Sequence, residues 1–243
     1  IDMEGADVSI DIDRQGEEVY ITAVATAKNG TVYKESIKAV CGDGTQTIRA
    51  FLITDGSYLE MADDKCYAYW PAEVTTPIVG ALDNSSAWWT TFSDYFAIPS
   101  NLSLHLGFYN YTSGGGNWNN WNTCVSTDAD RGADGYKEYF VVRSDLYGWG
   151  DAYVGENWSN EGYGDWGQFL ADMQGAYVDL TLVRENEKVT YKSVAKAENG
   201  NNYMESIWAN CDDGTQPLRA FLICDGSHFE LEASDCYTYK PLF

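Results

Sequence analysis

The sequence predicts an all-β protein, an antiparallel β-sandwich of the jelly-roll type with one short helix. Three observations predict it. Short β-branched, alternating runs follow one another at turn-length spacing. Asn-Gly and Asp-Gly pairs that favour tight hairpins punctuate them. Only one stretch carries a capped helical period.

Residues 8–12 alternate apolar and polar, 19–27 are β-branched and alternate, Asn29-Gly30 marks a hairpin, and 31–40 returns. Residues 48–54 and 57–61 follow as two further strands joined across Asp55-Gly56, which completes an antiparallel meander. Farther on, 102–109, 122–126 and 136–143 read as strands between loops of Gly, Asn and Asp. The helix starts after Asp165 as N-cap, sets Trp166, Phe169, Leu170 and Met173 on one face and stops at Gly175.

Laid on itself at an offset of 170, the chain repeats: Cys41 falls on Cys211, Cys66 on Cys236, and Arg49-Ala50-Phe51-Leu52-Ile53 on Arg219-Ala220-Phe221-Leu222-Ile223. Residues 1–72 recur as 171–242, and 73–170 occur once. The expected organisation is a complete module at 73–243, preceded at 1–72 by the trailing half of another copy. A lone half-sandwich leaves a sheet face and its edges bare. Either the rest of the chain covers it, or a neighbouring chain completes it and builds a homo-oligomer or polymer through residues 1–72.

With 37 acidic against 15 basic residues and a net charge of -22, the chain repels nucleic acid and anionic membrane surfaces. No apolar run in it approaches the roughly 20 residues that span a bilayer. Neutral, hydroxyl-rich ligands remain, and 9 Trp with 18 Tyr exceed ordinary core needs. Six cysteines without metal-type spacing point to an oxidising compartment and make secretion the expectation. The 25-residue spacing present in both copies predicts disulfides Cys41 to Cys66 and Cys211 to Cys236. Cys124 and Cys224 either bridge the two halves of the module or stay as buried thiols.

Candidate binding residues sit in two stretches. Ser113-Gly114-Gly115-Gly116 leads into Asn117-Trp118-Asn119-Asn120-Trp121-Asn122, where indole faces suit sugar rings and amides such as Asn120 suit hydroxyls. Trp121, at a strand start, has the alternative of capping the core. In the second stretch, alternation puts Tyr139, Val141 and Arg143 on one face and Glu138, Phe140 and Val142 on the other. Arg143 and Asp145 could then meet sugar hydroxyls beside Tyr147 and Trp149, or simply pair on a solvated strand.

Asp128, Asp130 and Asp134 are spaced like calcium ligands, but Gly132 and Tyr139 occupy EF-hand ligand positions, so turn-forming acids are the alternative to a structural calcium. No other cofactor is indicated. Neither His105 nor His228 has a Ser, Cys or Asp arrangement around it of the triad kind, and no phosphate-binding fingerprint is present, so no enzyme is expected.

On the stretches SLHLGFYNYTSGGGNWNNW, STDADRGADGYKEYFVVRSDLYGWG and the tail from DMQGA to RAFLICDGSHFEL, residues 88–232 resemble a β-sandwich carbohydrate-binding module found in tandem in large secreted bacterial proteins and glycan-degrading enzymes. The resemblance extends to the repeated half at 1–63. It implies non-catalytic binding of a polysaccharide, a β-linked glucan in particular, with Trp118, Trp121 and Trp149 as the matching aromatics. Cys124 and Cys224 depart from it, standing where aliphatic core residues are expected. A second reading is a structural subunit of an extracellular fibre or adhesin, assembled by exchange between off-register repeats.

Overall fold

The computed structural model describes residues 3–62, 65–71, 78–79, 88–100, 102–112, 115–150 and 158–241. The expected boundary at residues 72 and 73, and Ser113 and Gly114 of the glycine-rich loop, lie outside the described residues. The chain divides into unit 1, residues 1–60, and unit 2, residues 61–243.

Unit 1 is a three-stranded antiparallel sheet of β1 (Asp7–Gln15), β2 (Glu18–Thr26) and β3 (Val32–Val40), in that order. The β2–β3 hairpin closes as the sequence predicts, with the Gly30 N–H donating to the Ala27 carbonyl at 2.8 Å. Gly30 sits at φ +84°, a left-handed conformation glycine adopts without strain.

Unit 2 contains β4 (Tyr67–Pro71), β5 (Ile78–Val79), β6 (Thr91–Phe92), β7 (Phe96–Ile98), β8 (Ser103–Thr112), β9 (Trp121–Thr127), β10 (Glu138–Arg143), β11 (Tyr147–Gly150), β12 (Trp158–Glu161), α1 (Trp166–Asp172), β13 (Ala176–Glu185), β14 (Lys188–Lys196), β15 (Asn202–Asn210), β16 (Leu218–Cys224) and β17 (Ser227–Pro241). The larger sheet runs β12-β15-β14-β13-β8-β17-β4, with β5 also on β17. The smaller runs β11-β10-β9-β16-β6, with β7 also on β16. Leu106, Phe108, Leu180, Tyr191 and Ile207 from the first share one fully buried core with Val125, Phe140 and Leu222 from the second. Burial of each such side chain is worth about 1.5–3 kcal/mol, and this makes the sandwich. The fold is therefore the expected all-β antiparallel sandwich with one short helix.

The two copies of the repeat differ in their cover. Val8 pairs with Ala25 in unit 1 as Val178 pairs with Ala195 in unit 2, so β1-β2-β3 is the same meander as β13-β14-β15. Yet Val8, Ile10 and Ile12 are exposed, whereas Val178, Leu180 and Leu182 are fully buried. The strands expected at 48–54 and 57–61 do not form. Arg219–Ile223, with the same five side chains as residues 49–53, lie inside β16. The reason is partnership: β16 pairs with β9, β6 and β7, and β17 pairs with β8, all in the segment that occurs once. Strand propensity without an adjacent strand leaves the segment irregular. The unit boundary falls at 60 and 61 because β4 pairs with β17 of unit 2.

No disulfide joins any of the six cysteines, which corrects the expected pairs. Cys211 follows β15 and Cys236 lies in β17, strands separated in the sheet by β14, β13 and β8. Four strand spacings amount to roughly 19 Å, far beyond the ~7 Å between Cα atoms that a disulfide tolerates. Cys124 pairs with Phe221 and Cys224 with Trp121, three residues along the ladder, which turns the two side chains to opposite faces of the sheet. Cys124 lies in the outer cluster and Cys224 in the inner core. Cys41 belongs to unit 1 and Cys66 to unit 2. Without disulfides, the cysteines cease to argue for an oxidising compartment.

Thermal unfolding should therefore be the same with and without reductant, and thiol titration in denaturant should count six. Loss of a disulfide would cost about 2–5 kcal/mol and lower the midpoint by several degrees; such a drop would contradict the structure.

Candidate functional site

The turns at one end of unit 2 are tied together by buried amides. Asn119, in the β8–β9 loop, donates its Nδ2 to the carbonyl of Asp225 in the β16–β17 turn at 2.8 Å, and its Oδ1 receives the Gly116 N–H at 2.9 Å. Asn110 Nδ2 donates both to Asn120 Oδ1 at 2.8 Å and to the carbonyl of Met173, just past α1, at 2.9 Å. The Ser144 N–H in the β10–β11 turn reaches the Trp121 carbonyl at 3.2 Å. Buried amides leave little freedom, because an unmade hydrogen bond there costs about 1–3 kcal/mol.

Asn120 and Trp121 are consequently not a binding surface: for Asn120 this corrects the expectation that it meets a ligand, and Trp121 takes its alternative place in the core. Both are fully buried, and the Trp121 indole N–H donates to the Tyr191 hydroxyl at 3.0 Å inside the core. Trp118 differs: it is 47% exposed and its ring lies over Gly116, where a Cβ would come within 2.5 Å of it. Glycine at 116 is thus what lets the indole lie flat on the loop.

The β10–β11 hairpin carries the other candidates. Arg143 Nε donates to Asp145 Oδ1 at 2.9 Å, Nη2 donates to Asp145 Oδ2, and the guanidinium stands 4.8 Å from the ring centre of Tyr147. Tyr147 is 58% exposed. Trp149, two positions on, shares its face, packs edge-on against Trp88 with ring centres 5.4 Å apart, and donates Nε1 to Glu138 Oε2 at 3.4 Å. Glu138 had been expected on the opposite face. A register shift between Glu138 and Phe140 inserts an extra residue, so Glu138 joins Arg143 and the buried Val141 on the face of the sheet that carries the second, outer cluster, while Tyr139 turns into the main core.

Two further features of the same end escape simple pattern reading. Trp166, expected on the buried face of the helix, heads α1 and is 39% exposed; Phe169 and Met173 do fill the core. Asp165 caps the helix as expected, accepting from the N–H groups of Gly167 and Gln168. Beside it lies a shallow hollow of about 310 Å³ lined by Asp165, Gln168, Asn201, Asn202 and Tyr203. Three of these lining side chains, with Asn199, are held by Asp172, which accepts from Gln168 at 2.6 Å, Asn199 and Asn201 at 2.8 Å and Tyr203 at 2.7 Å. Burial opposes the Asp172 charge, but these donors outweigh it and hold the carboxyl below its ordinary range.

The acids of the 128–134 loop lie at the far end of β9. Asp128 Oδ1 and Asp130 Oδ1 each accept from the Arg219 guanidinium at 2.6 Å, and Asp134 is exposed. Among the described residues, no group of three or more His, Cys, Asp or Glu stands as a metal site. Asp128 and Asp130 thus take the turn-forming alternative to calcium ligation, closing the loop around the Arg219 guanidinium. His105 stacks on Tyr237 between Asp235 at 3.2 Å and Asp179 at 3.5 Å, and His228 stacks on Tyr111. No helix of the described residues is long and apolar enough to cross a membrane.

No family model and no curated protein matches the chain. Among solved structures, a lectin UEA-II complexed with galactose aligns over 72% of this chain and 90% of its own, at 10% identity and a TM-score of 0.34. A likeness of that degree identifies no site and no ligand.

Behind the site, Glu205 faces the core opposite Ser193, and burial, with the Asp145 carboxylate adding, holds its carboxyl well above the ordinary range. The folded chain thus keeps a proton that the unfolded chain releases above about pH 4.3. Stability falls as pH rises from there toward the folded-state value. Glu205→Gln should melt higher than wild type at about pH 7, the two converging near pH 4. A gap that does not change with pH would show that Glu205 is not held protonated.

Proposed function

We propose that unit 2 binds polysaccharide without acting on it chemically, at the aromatic residues displayed on the loop end and the adjoining β10–β11 hairpin. One observation carries this reading: Tyr147 and Trp149 occupy alternate positions of edge strand β11, on one face, with Arg143 and Glu138 beside them on β10. Alternate strand positions lie roughly 6.6 Å apart. The exposed Tyr147 ring and the part of the Trp149 indole left uncovered by Trp88 offer apolar surface to the C–H faces of successive sugars, while the fixed Arg143–Asp145 fork and Glu138 offer partners to hydroxyls. Trp118 extends the display from the neighbouring loop. A neutral, extended β-linked glucan suits such a surface on a chain of net charge -22, and secretion would bring the two together.

Calorimetry against β-glucans, xylans, mannans and α-glucans tests this. Wild type should bind one class and release no sugar. Trp118→Ala and Tyr147→Ala should each weaken binding by about tenfold or more at unchanged melting temperature. Gly116→Ala should match Trp118→Ala, because it lifts the indole off the loop. Failure to bind any glycan would overturn the reading, and release of reducing sugar would overturn its non-catalytic part.

A further inference from the structure

The bare surface of unit 1 has a pattern that the other copy of the repeat explains. In unit 2 the outer edge of β13 is taken by β8, with Val178 opposite Phe108, Leu180 opposite Leu106 and Leu182 opposite Leu104. The counterpart edge in unit 1 belongs to β1, which among the described residues pairs with β2. Phe51 and Ile53 are 80% and 79% exposed, whereas their counterparts Phe221 and Ile223 are fully buried in β16, between β9 and β6. Leu59 is likewise exposed, and its counterpart Phe229 is buried in β17, which pairs with β8. The positions bare in unit 1 are those that the once-occurring half covers in unit 2.

The arithmetic of halves decides what fits there. The chain has two copies of the trailing half and one of the complementary half, and that one is engaged within unit 2. A second copy of residues 1–243 adds two trailing halves and one complementary half, so exchange between copies of these residues leaves the surplus in place.

We propose that unit 1 is a docking face for a further half-module of the kind formed by residues 88–150, which adds a β8-type strand along the edge of β1 and a β9-type strand along residues 49–53. The register follows from unit 2 by subtracting 170: Val8 would face a Phe108 equivalent, Ile10 a Leu106 equivalent and Ile12 a Leu104 equivalent. Backbone pairing along an open edge supplies affinity, and the alternating apolar side chains supply specificity.

The test joins a second copy of residues 73–170 ahead of residue 1 of the full chain, reproducing the junction that precedes residue 171. Fluorescence of a dye that reports exposed apolar surface is read alongside sedimentation for size. The joined chain should be a monomer, its dye signal should fall severalfold below that of the original chain, and strand content per residue should rise. Introducing Phe51→Asp with Ile53→Asp into the joined chain should restore the dye signal while the melting of unit 2 stays unchanged. An unchanged dye signal on joining would overturn the proposal. So would an original chain that sediments as a dimer without dye signal, since a second copy would then be the occupant. A dye signal that stays low in the double variant would also overturn it.

Discussion

Strand β8 lies between β13 and β17, and β9 lies between β10 and β16, so each sheet of unit 2 closes around a strand that the repeated half does not contain. Everything else in the fold follows from that dependence. With β8 and β9 present, the sequence Arg-Ala-Phe-Leu-Ile is a buried strand; in unit 1 the same five residues are irregular and open to solvent. Local preference supports a strand in both places, and only the partner differs. The β1-β2-β3 meander forms because its hairpins are local, and among the described residues no further strand pairs with it.

The same two strands position the candidate site. The loop that joins β8 to β9 carries Trp118, and its turn is fixed by Asn119 and Asn120, whose amides point inward to Asp225 and Asn110. β10, paired to β9, orients Arg143 and Glu138 toward β11, where Tyr147 and Trp149 lie. Rigidity in the buried amides and display in the aromatics are thus two sides of one loop end. Asp172, held by four side-chain donors, extends that rigidity to the α1 side.

Much of this was legible in the sequence, because hairpin turns, the Asp165 cap and the 170-residue repeat are local or self-referential signals. What was not legible depends on three-dimensional neighbours. Repeated cysteine spacing suggested disulfides, but recurrence is not proximity, and Cys124 and Cys224 face opposite sides of one sheet. An Asn-Trp-Asn-Asn-Trp-Asn run reads as a ligand surface, yet its inner members spend their hydrogen bonds on the loop itself and on the core. A single bulge at Glu138–Phe140 reverses the face that alternation assigned to Glu138, and nothing in the residue types announces it. Asp128 and Asp130 are spaced for a cation and hold Arg219, which is 89 residues or more away along the chain.

The dependence of strand on partner is most directly tested by hydrogen exchange on the chain as it stands, comparing residues 49–53 with 219–223. Because the two segments have identical side chains, their intrinsic exchange rates are nearly equal and any difference reports structure. The account predicts strong protection in 219–223 and almost none in 49–53; equal protection in both would show that residues 49–53 already have a partner and would contradict it.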